Sequence, residues 1–318
     1  MTFFSILFAL LLEQLKPLRA DNPMYAAAKQ LAARIEATFN AGEERHGRMA
    51  WIVTMLVLMV PTLLVYWLCL KISPLAALLW NVLIAYLTLG FRHYSHYFSS
   101  IQIALNSGDE TAARELLAEW TRQNTVGMSV SDISRVAVEK ALIASHRNVF
   151  GVFFWFVMPI GPAGAIMYRV AEYLARAWNE PEHLKNEPFG RFAMKAFYWI
   201  DWIPARLTAI AFAIVGNFED AIYAWRNFAY RWQDESVGII LSAGGGAMGL
   251  RLGTERENAA DIPTVDAATV DTTTIETEGL PGEEATTRAL QSTVGLVWRA
   301  LLLWMLLLLL LSIAVWLG

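Results

Sequence analysis

The chain is poor in cysteine, poor in charge and has no basic surplus. Its 318 residues include one cysteine, Cys69, which lies inside an apolar segment. A lone thiol excludes an intramolecular disulfide framework and a cysteine-rich metal site. Only 17% of the residues are charged and the formal net charge is −4, which argues against a nucleic-acid partner, since phosphate binding calls for a basic surface. No GxxxxGK[ST] loop is present, so any role with ATP requires another binding mode. No internal repeat stands out, and Gly253 to Val294 contains no aromatic residue.

What is present is apolar surface. The chain is 56% hydrophobic and carries 13 Trp, more than a soluble core ordinarily buries, and an all-α, polytopic membrane protein is expected. Met49 to Leu70, Pro74 to Phe91 and Val297 to Leu317 are each long enough to cross a hydrocarbon core of about 30 Å. Phe150 to Val170 and Ala196 to Val215 also suffice in length. The first is interrupted by Pro159, Gly161 and Pro162, and the second carries Asp201 and Arg206. About four or five membrane segments follow, one of them broken or re-entrant.

Basic residues lie on both sides of the interrupted segment: Arg135, Lys140 and Arg147 before it, Arg169, Arg176 and Arg191 after it. Short basic loops stay cytoplasmic, which favours a hairpin that dips into the bilayer and returns. The expected organisation is a helical membrane domain over 1–252 with cytoplasmic helices near 92–148 and 169–195, a flexible acidic tether over 253–296, and a C-terminal membrane helix over 297–318. The tether is too polar to repay the entropy of folding. The apolar N-terminus has no preceding basic residues and no evident cleavage site, and is expected to be retained.

Within the cytoplasmic part, Ser129-Val130-Ser131-Asp132 has the form of a capping box ahead of Ile133, Val136, Ala137 and Ala141, and Asp109 to Arg122 forms a second helix that buries Leu116, Leu117 and Trp120.

Charge inside apolar runs marks the candidate site. An unpaired charge at mid-membrane costs roughly 2.5 to 3.5 kcal/mol on insertion scales, so it ordinarily has a partner or a task. Asp201 can cap a helix resuming at Trp202, or neutralise Arg206 or another buried cation. Arg206 is thus a candidate for a polar ligand pocket, with a purely structural ion pair as the plain alternative. Glu139, His146, Arg147 and Asn148 can present donors and acceptors at the membrane surface, but Glu139 follows Arg135 at helical-pair spacing, and His146 and Arg147 suit a helix C-terminus.

His93 and His96 share a helix face and are weak metal candidates. No carboxylate completes a ligand set, and Tyr and His mark the membrane–water interface. Gly244, Gly246 and Gly249 satisfy GxGxxG, yet no strand–turn–helix unit surrounds them, and close helix packing is the better explanation.

The order of several segments resembles the CobD/CbiB family of bacterial inner-membrane proteins. They are Val138-Glu139-Lys140, Phe154-Trp155, Gly161 to Arg169, Phe189-Gly190, Trp202 to Thr208 and Gly246 to Gly253. The resemblance implies a multi-pass inner-membrane protein associated with amide formation in cobalamin biosynthesis, joining adenosylcobyric acid to aminopropanol or its phosphate with ATP. A divalent metal would accompany ATP in that reaction, with Glu139 or Glu172 as metal or substrate ligands and Arg206 or Arg251 as phosphate clamps.

The departures are also specific. Where the family carries Glu-Asn-x-x-Asp-Gly, this chain has Ile143-Ala144-Ser145-His146-Arg147-Asn148. Asn-Thr-Leu-Asp is replaced by Glu172-Tyr173-Leu174-Ala175, and an Asp pair by Phe197-Tyr198. Such losses resemble the related AmpE branch, linked to sensing in beta-lactamase regulation. The expectation is a noncatalytic sensor or accessory role with no evident cofactor, a lipid bilayer partner and a corrinoid or cell-wall-derived ligand. The ATP-dependent amide-forming ligase is the alternative.

Overall fold

A computed structural model describes residues 2–18, 22–179, 188–253 and 282–317. The helices in chain order are α1 (Thr2–Leu15), α2 (Pro23–Phe39), α3 (Glu44–Ile72), α4 (Pro74–Thr88), α5 (Phe91–Asn106), α6 (Glu110–Thr121), α7 (Val130–Ser145), α8 (Gly151–Val157), α9 (Pro162–Ala177), α10 (Arg191–Val215), α11 (Phe218–Phe228), α12 (Glu235–Met248) and α13 (Thr287–Leu317). A π-helical turn, His146–Phe150, joins α7 to α8. The fold is all-α, with no strand among the described residues.

Among the described residues three helical stretches, Glu44–Ile72, Pro188–Val215 and Thr287–Val315, are long and apolar enough to cross a membrane, and α1 and α4 are shorter apolar helices. The second expected span is shorter than its sequence suggests. The chain becomes extended at Leu89, which leaves α4 about 22 Å long at 1.5 Å per residue. The last helix is longer, because it begins at Thr287 rather than Val297. Its added turns bury Ala289, Leu290 and Thr293, enough apolar contact to order the end of the segment expected as tether. The rest of that segment, 254–281, lies outside the described residues.

The chain packs as two units. The first comprises Met1–Tyr97, Ala144–Thr208 and Leu301–Gly318, and the second Phe98–Ile143 and Ala209–Ala300. In the first, α3 packs against α2, α4 and α9, α1 against α4, and α8 against α9. Ser73 ends α3 and starts α4, its hydroxyl accepting the Ala76 N–H at 3.1 Å, with Pro74 in the first turn where no N–H is needed. The Pro/Gly segment breaks the helix between Val157 and Pro162. Gly164 lets α9 approach the Trp155 carbonyl so closely that a Cβ would collide with it.

In the second unit, α6 is capped by Asp109, whose carboxylate accepts the Ala112 N–H at 3.0 Å. Ser129 and Asp132 form the expected reciprocal cap of α7: the Asp132 N–H reaches the Ser129 hydroxyl at 3.1 Å and that hydroxyl donates to the carboxylate at 2.7 Å. α11 and α12 pack together, and the glycines of α12 permit it. A Cβ on Gly246 would strike the Asp220 carbonyl, and one on Gly244 would stand 2.8 Å from Leu142. The GxGxxG match is helix packing.

Candidate functional site

Within the first unit, α10 carries a carboxylate into the apolar interior. Asp201 is 1% exposed, and the helix runs unbroken through it from Arg191 to Val215, so it does not cap a helix starting at Trp202. Pro204 has no N–H and frees the carbonyl of Ile200, four residues back. The Trp155 indole takes that carbonyl at 3.0 Å, which ties α8 to α10. Thr208 lies two turns beyond Asp201 on the same face, and its hydroxyl donates to the Pro204 carbonyl at 2.9 Å.

The π-helical turn supplies the partner. Turns of this width recur at functional sites because they displace a side chain from the regular helical face. Here His146 is buried, its Nε2 2.8 Å from Asp201 Oδ1 and its Nδ1 2.9 Å from Thr208 Oγ1. Tyr168 of α9, fully buried, donates its hydroxyl to the same Oδ1 at 2.8 Å. Gly151 makes room for that ring, since a Cβ there would overlap the Tyr168 phenol.

The Thr208 hydroxyl lies at Nδ1 and a carboxylate oxygen at Nε2, so both ring nitrogens of His146 have a partner within hydrogen-bond distance. Asp201 Oδ2 has no hydrogen-bond partner. A buried pair of this kind contributes little net stability compared with apolar packing, but removing one member leaves the other without its partner.

Next to the cluster, Arg147 and Asn148 continue the π-helical turn toward α9. Arg169 Nη1 donates to Asn148 Oδ1 at 2.6 Å and lies 3.4 Å from the Arg147 carbonyl. Glu172, 8% exposed, sits 3.9 Å from Arg169 and 3.4 Å from Arg176 Nε. The Arg147 guanidinium is 5.7 Å from the Phe197 ring centre. Two guanidiniums, Arg169 and Arg176, flank the one carboxylate of Glu172, and with Arg147 on the adjoining turn the arginines of this ledge outnumber the acid, which suits a carboxylate or phosphate. The His146 cluster, closed and fully hydrogen-bonded on the imidazole side, anchors the turn that presents the ledge.

The structure therefore brings together Asp201, Arg147, Asn148 and Glu172 among the sequence candidates. Arg206 takes a different direction. It donates to its own helix at the Trp202 carbonyl, 3.0 Å away, and its guanidinium stacks 3.8 Å over the Trp202 indole. The ion pair of Asp201 is with His146, because Arg206, five residues on, points about 140° around the helix.

Glu139 and Arg251 belong to the second unit. Glu139 Oε1 accepts from Arg135 at 3.2 Å and from the Gly253 N–H at 2.7 Å, and Arg251 is exposed with its Nη2 3.5 Å from the Gly282 carbonyl. His96 is exposed against Tyr97, and the side chain of His93 lies outside the described residues. Among the described residues no three His, Cys, Asp or Glu side chains group to hold a metal. Glu172 is engaged by arginines and Asp201 by His146, so these carboxylates do not fit a divalent ion.

Tyr168 and Thr208 are the members that sequence reasoning missed, and His146, named among the candidate donors, was given to a helix C-terminus instead. The seven-residue step from Asp201 to Thr208 was the available signal. Nothing local marks His146, which looks like a helix end until the turn continues into α8.

Comparison with known proteins agrees with the segment order. The family model described as CobD/Cbib protein matches residues 6–279. A cobalamin biosynthesis protein CobD of Stutzerimonas stutzeri is 32% identical over 79% of this chain and 82% of its own length. One from Chromobacterium violaceum is 30% identical over 62% of each chain. Protein AmpE of Shigella flexneri is 23% identical over 71% of this chain and 78% of its own. No solved structure matches.

Proposed function

The chain belongs to the CobD/CbiB family, and on that premise we propose that it is an inner-membrane protein of cobalamin biosynthesis, serving the step that joins adenosylcobyric acid to aminopropanol or its phosphate. The cationic ledge of Arg147, Arg169 and Arg176 carries this reading, because both the acid to be condensed and a phosphorylated amine are anions. Condensing a carboxylate with an amine needs activation, which ATP supplies in the reaction the family is associated with. In this chain Arg169 and Arg147 hold the acid, Asn148 fixes Arg169, and Glu172 limits how the arginines spread. The relatives named for cobalamin biosynthesis are more similar, at 32% and 30% identity, than the AmpE relative at 23%.

A second reading keeps the ledge and omits the turnover. The replacement of family acids by Ile143-Ala144, Ala175 and Phe197-Tyr198 favours a sensor or accessory protein like AmpE, with a corrinoid or cell-wall-derived ligand on the same arginines. Complementation separates the two. Rescue of a cobalamin-synthesis mutant by the wild-type chain, lost on Arg169→Ala, is the outcome expected of the enzyme. Failure to rescue despite normal membrane expression selects the sensor.

A further inference from the structure

Where α10 ends at Val215, the chain turns through Gly216 and Asn217 and enters α11 at Phe218. Three residues of chain reach at most about 10 Å, so α11 starts close to where a membrane-spanning helix leaves the hydrocarbon. The turn is fixed: the Asn217 N–H donates to the Ala247 carbonyl at 3.0 Å, and the Asn217 side chain accepts the Asp220 N–H at 3.3 Å.

One face of α11 is accounted for. Ala221, Ala224 and Phe228 are buried, and Trp225 packs on Ala209, Ala229, Ile239 and Ala243. The opposite face is not. Phe218 is 55% and Tyr223 50% exposed, and the 3-10 turn that follows carries Tyr230 at 75%. Phe218, Glu219, Ile222, Tyr223, Arg226 and Asn227 line an open cleft of about 630 Å³.

Two observations say what covers this face. Ile210 and Ile214 are exposed on the last turns of α10, and Phe218 follows them across the two-residue turn, so the exposed apolar residues of α11 begin where the apolar surface of the span ends. The exposed polar residues carry both signs, Glu219 and Asp220 in the first turn and Arg226 in the last, and Arg226 is the cation of the cleft. Arg226 forms no ion pair among the described residues. An apolar flank, exposed tyrosines and an arginine beside a span are the composition of a helix lying in the membrane interface.

We propose that α11 lies in the headgroup layer of the bilayer crossed by α10, with Phe218 and Ile222 against acyl chains and Arg226 and Tyr223 on the phosphate of an anionic phospholipid. This inference stands independently of the amide-forming reading. The single cysteine makes it measurable. In a Cys69→Ala background, nitroxide labels at Phe218→Cys and, as an aqueous control, Gln123→Cys are read by oxygen and nickel-chelate accessibility in phosphatidylglycerol-containing nanodiscs. A label at 218 that favours oxygen by several-fold over the control is expected. Equal nickel accessibility at both positions, or dipolar broadening between copies that appears when two chains share a disc, overturns the lipid assignment.

Native mass spectrometry supplies the headgroup arm. Wild-type protein is expected to retain phosphatidylglycerol over phosphatidylcholine, and Arg226→Gln to lose that preference with its helicity unchanged. An unaltered preference in Arg226→Gln overturns the assignment of the arginine, and displacement of lipid by millimolar inorganic phosphate makes the site one for free phosphate instead.

Discussion

Asp201 is held inside the protein because two groups from other stretches of chain, His146 and Tyr168, converge on it, and Thr208 of its own helix takes the far side of the His146 ring. Asp201→Ala leaves the buried His146 ring without its carboxylate partner and is expected to lower stability by about 1 to 3 kcal/mol. The paired His146→Ala, Asp201→Ala double variant should lose much less than the sum of the two single changes. Thermal unfolding of all three in one detergent checks this, and strictly additive losses would show that the two side chains do not act as a pair. Asp201 was legible as a group needing a partner, since it interrupts an apolar run. The identity of the partner was not, because His146 is brought in by packing across 55 positions of sequence. Arg206 is the instructive error: proximity in sequence suggested pairing, while helical rotation sends the two side chains to different faces.

At the scale of elements, irregular features do the positioning. Pro204 opens a gap in the hydrogen bonding of α10 that Trp155 closes. Trp155→Phe removes that donor and is expected to cost about 1 to 3 kcal/mol. In a Pro204→Ala background the restored N–H can reach the Ile200 carbonyl, and the same Trp155→Phe change should cost clearly less. Equal losses in the two backgrounds would separate the indole from the proline.

The cap of α7 gives a pH test outside the membrane segments. The Ser129 hydroxyl holds the Asp132 carboxyl below its ordinary range, assisted by Arg135 and opposed by burial. A depressed carboxyl stabilises the fold above its unfolded value of about 3.9 and loses that contribution as pH falls through the folded value. Ser129→Ala should raise the titration midpoint of Asp132, read from its side-chain carboxyl carbon by NMR; an unmoved midpoint contradicts the cap. This helix start, the Pro/Gly break before α9 and the glycine packing of α12 were all readable, since local spacing encodes them. The early start of α13 and the short α4 were not, because contacts with distant helices and a single extended residue at Leu89 set those ends.

At the scale of the whole molecule, long apolar helices are those of a membrane protein, and the match over 6–279 places the chain in the CobD/CbiB family. Between those two statements stands the ledge on α9 and the π-helical turn, built from Arg147, Asn148, Arg169, Glu172 and Arg176. Glu172 and Asp201, the carboxylates of this region, are already engaged by arginine and histidine. Activity therefore depends on whether a cation-rich anion site suffices for the reaction. ATP-dependent amide formation from adenosylcobyric acid and aminopropanol phosphate, measured with purified reconstituted protein, decides it most directly. The account predicts product from the wild-type chain and a loss of about tenfold or more with Arg169→Ala. Folded wild-type protein that makes no amide with either aminopropanol or its phosphate would contradict it.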